Sequence, residues 1–232
     1  MPLFIKAMPK GFTLIELLVV LAVMGTLVGV FGFSFFGSGV ALDSAQRDML
    51  TWIRQARLIA ISEGKEARLL VRSDVSDMDH FQKYVEVVCE GNSSEEWIVK
   101  KEGELLPDDV WILPDESSLS EKMIFAEDWY SVAYSNWSGP PVSTSAAEGD
   151  DEGGENFTVR RGGSDNEFNY ISFDSSGRVI NNPVLVLSKG ELRPTSDGTL
   201  TIHFPDRFQV KGILIQPYGG MLSLEHSDFS NN

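Results

Sequence analysis

One cysteine, Cys89, stands in 232 residues, so no disulfide can close within the chain. Histidine is nearly as scarce. His80, His203 and His226 are scattered and share no spacing with Cys89 or with a carboxylate pair, which leaves no Cys/His metal cluster. The serines lack a Gly-x-Ser-x-Gly elbow, and no glycine-rich phosphate loop is present. The sequence therefore predicts no enzyme: no catalytic residue, no metal ligand and no cofactor. Basic charge is short too. Lys and Arg number 19 against 34 Asp and Glu, a net charge of −15. From residue 62 to 232 the balance is 31 acidic to 14 basic. Binding to phosphate backbones draws most of its affinity from clustered cations, so nucleic acid is not an expected partner. Arg160-Arg161-Gly162-Gly163 is the one basic candidate.

What the chain does have is a long apolar run, Phe12 to Phe36, interrupted only by Thr13, Glu16, Thr26, Ser34 and three glycines. As a helix it is roughly 37 Å long at about 1.5 Å per residue. A bilayer's hydrocarbon core is about 30 Å, so residues 12–36 are expected to cross a membrane. No Ala-x-Ala-like site follows the run, which distinguishes it from a cleaved secretory signal. Lys6 and Lys10 precede it with no acidic residue, placing the N-terminus in the cytoplasm and the bulk of the chain outside. Glu16 is costly in such a segment and calls for a compensating partner. Gly25 and Gly29 form a Gly-x-x-x-Gly step. It serves close helix packing or softens a long helix, and the residues leave both open.

Lys10-Gly11-Phe12-Thr13-Leu14-Ile15-Glu16-Leu17-Leu18-Val19-Val20 resembles the processing site of type IV pilins and type II secretion pseudopilins. The resemblance covers about the first 30 residues. It implies a prepilin peptidase that cuts between Gly11 and Phe12 and N-methylates Phe12, leaving 1–11 as a leader. It also implies that Glu16 serves subunit assembly by pairing with the amine of a neighbouring subunit's Phe12. A glycine before the scissile bond fits the chemistry, because it lets a protease approach the backbone closely.

Beyond the apolar run, Gly37-Ser38-Gly39 is a candidate hinge. Residues 37–63 then read as an amphipathic helix from about Val40 to Ser62. Leu42, Ala45, Met49, Trp52, Ile53, Ala56, Ile59 and Ala60 form one stripe, and Gly64 ends it. Asp43 and Arg47 can pair at i, i+4. Arg54 and Arg57 lie off the stripe, on the wet face. From Gly64 the periodicity falls to two. Strands are expected at 67–72, 83–89, 96–100, a turn-to-strand at 105–112, 122–126, 130–134, 169–173, 184–187, 199–204, 208–216 and 221–224. Phe173 to Val179 reads as a hairpin turn, and Tyr218-Gly219-Gly220 as another. Cys89 falls in a strand and reads as a buried thiol. The acidic, glycine-rich stretch 136–156 reads as a disordered loop. Its carboxylates suit calcium, but their spacing is not that of an EF-hand.

The fold class expected is α+β: a long N-terminal helix, membrane-spanning in its upper half and amphipathic in its lower half, packed on an antiparallel β-sheet head over 64–232. Leu50 to Ile61, the Leu105-to-Ile112 segment and the Phe173 turn resemble the minor pseudopilin subfamily called GspH/FimT. That resemblance implies a minor pseudopilin of a type II secretion pseudopilus, a structural subunit held in the bacterial inner membrane with a periplasmic head. Its implied partners are the prepilin peptidase, other pseudopilins or pilins, and secreted protein. The alternatives are a minor pilin of a type IV pilus, serving adhesion, motility or DNA uptake, and more remotely a membrane-anchored enzyme.

Overall fold

The computed structural model describes residues 13–92, 96–113, 122–125, 157–161, 164–180 and 184–229; the side chains of 27–38 and 157–165 lie outside that description. The expected strand at 130–134, the loop at 136–156 and the cleavage residues Gly11 and Phe12 therefore fall outside the described residues. The chain divides into two compact units, 1–38 and 39–232.

The first unit is the opening of helix α1 (Leu14–Glu63), whose large apolar side chains from Leu14 to Met24 are exposed. Helical backbone continues through Gly37-Ser38-Gly39, where a hinge is expected. Glycine costs about 1 kcal/mol in a helix interior, and that is too little to break a helix of this length. Among the described residues no helix is long and apolar enough to cross a membrane.

In the second unit the stripe expected on α1 is the buried stripe: Leu42, Ala45, Met49, Trp52, Ile53, Ala56 and Ala60 are nearly inaccessible. The helix stops at Gly64, whose φ of 63° lets the Lys65 amide donate back to the Ala60 carbonyl at 3.3 Å. That six-to-one bond closes the last turn and is open to glycine at little steric cost.

Twelve strands follow among the described residues: β1 (Ala67–Arg72), β2 (Tyr84–Glu90), β3 (Trp97–Leu105), β4 (Val110–Leu113), β5 (Met123–Phe125), β6 (Phe157–Arg161), β7 (Ser164–Phe173), β8 (Val184–Lys189), β9 (Glu191–Pro194), β10 (Leu200–Phe204), β11 (Val210–Ile215) and β12 (Met221–Leu224), before a short helix α2 (His226–Phe229). They form three sheets, ordered β3-β2-β1-β7-β6, β12-β11-β8-β4 and β5-β10-β9. Pairing is antiparallel except for β5 with β10, which run parallel. The head is thus α+β as expected, but it is not one antiparallel sheet.

The reason lies in two apolar clusters. One joins the α1 stripe to inward residues of the first sheet (Leu69, Val87, Ile171) and of the second (Ile112, Leu187, Ile213). The other joins the back of the second sheet (Trp111, Val186, Val210) to Ile202 and Phe204 of the third. Strands β4 and β8 are apolar on both faces because both faces are covered. The Asp174–Arg178 turn reverses the chain as expected: Phe173 bridges Val179 antiparallel, the Asp174 amide donates to the Arg178 carbonyl at 2.9 Å and the Ile180 amide to the Ser172 carbonyl at 3.0 Å. Strand β8 itself pairs with β4 and β11 in the second sheet rather than with β7. The Tyr218 turn joins β11 to β12, with Gly219 at φ 81°.

Candidate functional site

Two groups of residues bear on function: the start of α1 and the contacts that fix α1 in the head. At the start, Thr13 precedes the helix and Glu16 lies in its first turn, the Thr-x-x-Glu spacing of a capping box. The Thr13 hydroxyl accepts from the Glu16 amide at 3.3 Å. The Glu16 carboxylate reaches back to the Thr13 amide and hydroxyl at 3.5 Å each. These last contacts sit at the outer limit of hydrogen bonding, so the exposed carboxylate keeps capacity for a stronger donor. Gly25 is open: a Cβ there would meet nothing within 4 Å. The side-chain surroundings of Gly29 lie outside the described residues.

In the head, two polar side chains of α1 bind main chain outside the helix among the described residues. Gln46, buried beside the stripe, donates through Nε2 to the Gly212 carbonyl at 2.8 Å and the Leu224 carbonyl at 3.1 Å. Arg57 donates from Nε to the Gly177 carbonyl at 3.0 Å, from Nη1 to Gly219 at 3.2 Å and from Nη2 to Tyr218 at 3.1 Å. Arg57 is therefore not on a solvated face as expected; its planar fork joins two turns that are about 40 residues apart in sequence. Amphipathic periodicity cannot show this, because the stripe marks only apolar burial. Asp43 binds Lys211 at 2.5 Å rather than Arg47, and Glu225 approaches the same ammonium at 2.8 Å. Burial pulls the Lys211 pKa down, but its bonds to Asp43 and Glu225 outweigh that and raise it.

Cys89 is fully buried in β2, as expected, and burial pushes its thiol pKa up, away from thiolate chemistry. His80 is less isolated than its sequence position suggests. Its Nδ1 lies 2.8 Å from Asp77, at the edge of a cavity of about 220 Å³ lined by Arg72, Asp77, His80, Tyr84, Asn166 and Phe168. An Asp–His pair needs a nucleophile or a bound water to do chemistry, and among the described residues no serine or cysteine lines this cavity. Among the described residues no group of three or more His, Cys, Asp or Glu is placed to hold a metal ion. The side chains of Arg160 and Arg161 fall outside the described residues; their backbone pairs with Asp165 and Ser164.

Residues 7–32 match the family model described as the prokaryotic N-terminal methylation motif. The match spans Gly11, Phe12, Glu16, Gly25 and Gly29. No curated protein matches the chain. Among solved structures, it aligns with the minor pseudopilin EpsH from the type II secretion system of Vibrio cholerae at 11% identity, covering 72% of this chain and 96% of that one, with a TM-score of 0.32. A superposition that loose carries no argument about either fold or role.

Proposed function

We propose that this chain is a pilin-type structural subunit, cut by a prepilin peptidase between Gly11 and Phe12, N-methylated on Phe12 and assembled with other pilins or pseudopilins through its N-terminal helix. The observation that carries this is the methylation-motif match over residues 7–32, which falls on the residues whose chemistry fits it. Residues 12–36 anchor the subunit in the inner membrane, with the head outside. The capping geometry at Thr13 supports a role for Glu16 in assembly. Its carboxylate is held at the helix start, where among the described residues only Thr13 reaches it, at long distance. A neighbour's Phe12 amine is the stronger donor it can still take. More narrowly, we assign the chain as a minor pseudopilin of a type II secretion pseudopilus, on the GspH/FimT-like segments at Leu50–Ile61 and Leu105–Ile112. Its work is assembly, without turnover.

N-terminal analysis of the membrane-extracted protein tests this reading. The expected chain begins at N-methyl-Phe12, and Gly11→Val leaves the precursor uncut. Glu16→Ala should still be cleaved but should lose crosslinking to neighbouring subunits. A native chain that keeps residues 1–11 in cells with an active peptidase would sink the assignment.

A further inference from the structure

The cavity beside His80 lies on the outer face of the first sheet. Strand β1 alternates there: Leu69 and Val71 join the cluster of the α1 stripe, whereas Leu70 packs with Phe168 and Tyr84 in a separate one. Arg72 shares the face of Leu70, with its guanidinium over the Phe168 ring at 5.4 Å from the centroid. Arg72 of β1, Tyr84 of β2, Asn166 and Phe168 of β7, and Asp77 and His80 of the loop at 73–83 form the wall. At about 220 Å³ the cavity has the volume of about seven waters at about 30 Å³ each. It falls short of the roughly 300 Å³ at which pockets for drug-sized ligands begin, so it takes a single small ring.

The wall is fixed in place, yet its polar groups are under-used. The Tyr84 ring lies where a side chain on Gly103 of β3 would stand: an added Cβ there would overlap the ring and its hydroxyl. His80 meets that ring edge to face, with centroids 5.5 Å apart, and its Nδ1 lies 2.8 Å from Asp77. The bond to Asp77 occupies Nδ1 and leaves Nε2 for another group. The Arg72 side chain is only 12% exposed. Both its ion pairs run through Nη2, to Asp74 at 3.4 Å and Asp77 at 3.5 Å, and its buried Nε has no acceptor among the described residues. Asn166 is half-buried, and its carboxamide makes no hydrogen bond among the described residues. Polar groups left unmatched in this way are costly, and an incoming hydroxyl would supply what they lack.

Neither sign of ion suits this wall. Its one guanidinium is faced by Asp74 and Asp77; the Tyr84 hydroxyl reaches Glu86 at 3.4 Å, and Asp79 and Glu167 are exposed next to wall residues in the chain. No positive charge is left over for a phosphate or a carboxylate. Lys83 does not change this, since its ammonium lies over the Trp111 ring, 4.7 Å from the centroid. A cation would meet Arg72, which already covers the Phe168 ring. What remains is a set of planar polar groups beside an aromatic ring. That set suits adjacent hydroxyls, each of which donates one hydrogen bond and accepts others. We propose that the cavity binds one neutral pyranose sugar. Asn166 both donates to and accepts from its hydroxyls, Arg72 donates, Asp77 and the His80 Nε2 edge complete the set, and the apolar face of the sugar ring packs on Tyr84. The site uses no residue of the first unit, so it stands or falls independently of cleavage at Gly11.

The test titrates the full chain, in a detergent without a sugar headgroup, with methyl glucoside, methyl galactoside, methyl mannoside and N-acetylglucosamine, read by saturation-transfer NMR. At least one should bind saturably with a Kd on the order of 1–10 mM, the range for a molecule of about twelve heavy atoms. Transfer should be strongest to the protons on one face of the sugar ring, the face over Tyr84. Asn166→Ala should weaken binding about tenfold. That side chain bonds to nothing in the described fold, so the variant should melt with the parent. Gly103→Ala, which displaces the Tyr84 ring, should weaken binding at least as much. Saturable binding of none of the four sugars, binding that is unchanged in Asn166→Ala, or displacement of the bound sugar by an equal concentration of sodium acetate or ethylammonium chloride overturns the inference.

Discussion

Single residues decide whether a turn keeps its shape, and Asp197 shows how far one carboxylate can be held. It sits in the Thr195–Thr199 turn between β9 and β10. The Thr195 hydroxyl donates to it, the Thr199 amide does so at 3.1 Å and the Thr199 hydroxyl at 2.8 Å. These donors, the Thr195 hydroxyl foremost, hold its pKa at about 2 against an ordinary 3.8. A carboxylate lowered on folding contributes stability above its unfolded value. That contribution fades as pH falls through the window from 3.8 to about 2. Carbon-detected NMR titration should find the Asp197 midpoint near about 2, and Thr195→Val should move it up toward 3.8. A midpoint already at the ordinary value in the parent would show that the donors do not hold it in solution.

Elements are tied together by contacts that a periodic pattern does not encode. The α1 stripe was legible because burial against two sheets demands apolar residues at every third or fourth place, and Leu42 to Ala60 supply them. Strands β1, β8 and β12 were legible from alternation or from a short apolar run. Strand β9 was not: Glu191–Pro194 is exposed throughout, an edge strand held by main-chain bonds to β10 and ended by a proline. Strand β6 was missed although Phe157-Thr158-Val159-Arg160 alternates, because the run is short and follows directly on the acidic stretch. The division into three sheets was illegible because no local pattern says which strand a given strand pairs with. At the candidate site, Gly11, Phe12 and Glu16 were readable as a motif, whereas Gln46 and Arg57 were not, since their partners are carbonyls far away in sequence. The Arg57 clamp is testable by melting. Arg57→Ala removes three charge-assisted bonds and should cost about 2 kcal/mol, or roughly 4–8 °C in a domain of this size. Gly219→Ala should also destabilise, because φ is positive there and an added Cβ would strike the Arg57 guanidinium. The two share one contact, so the double variant should lose less than the sum. Full additivity would show that the Gly219 substitution does not act through the Arg57 contact.

For the whole molecule, charge sets what it can meet. With 34 acidic residues against 19 basic, the full chain should not bind duplex DNA at physiological salt. Anisotropy titration at low and physiological salt checks this. Micromolar binding that weakens steeply with salt and is lost in Arg160→Ala/Arg161→Ala would instead favour a DNA-uptake pilin.

The placing of Gln46 and Arg57 on one helix has a mechanical consequence. They stand eleven residues apart in sequence, about 16 Å along α1, and each grips main chain rather than side chain. A pull on the Gly39 end of the head's helix, along its axis, loads both grips and the apolar stripe between them in shear. They cannot be unfastened one at a time, as a peeled strand can. The helix is therefore built to carry tension into both flanking sheets at once, through the grips and the apolar stripe together.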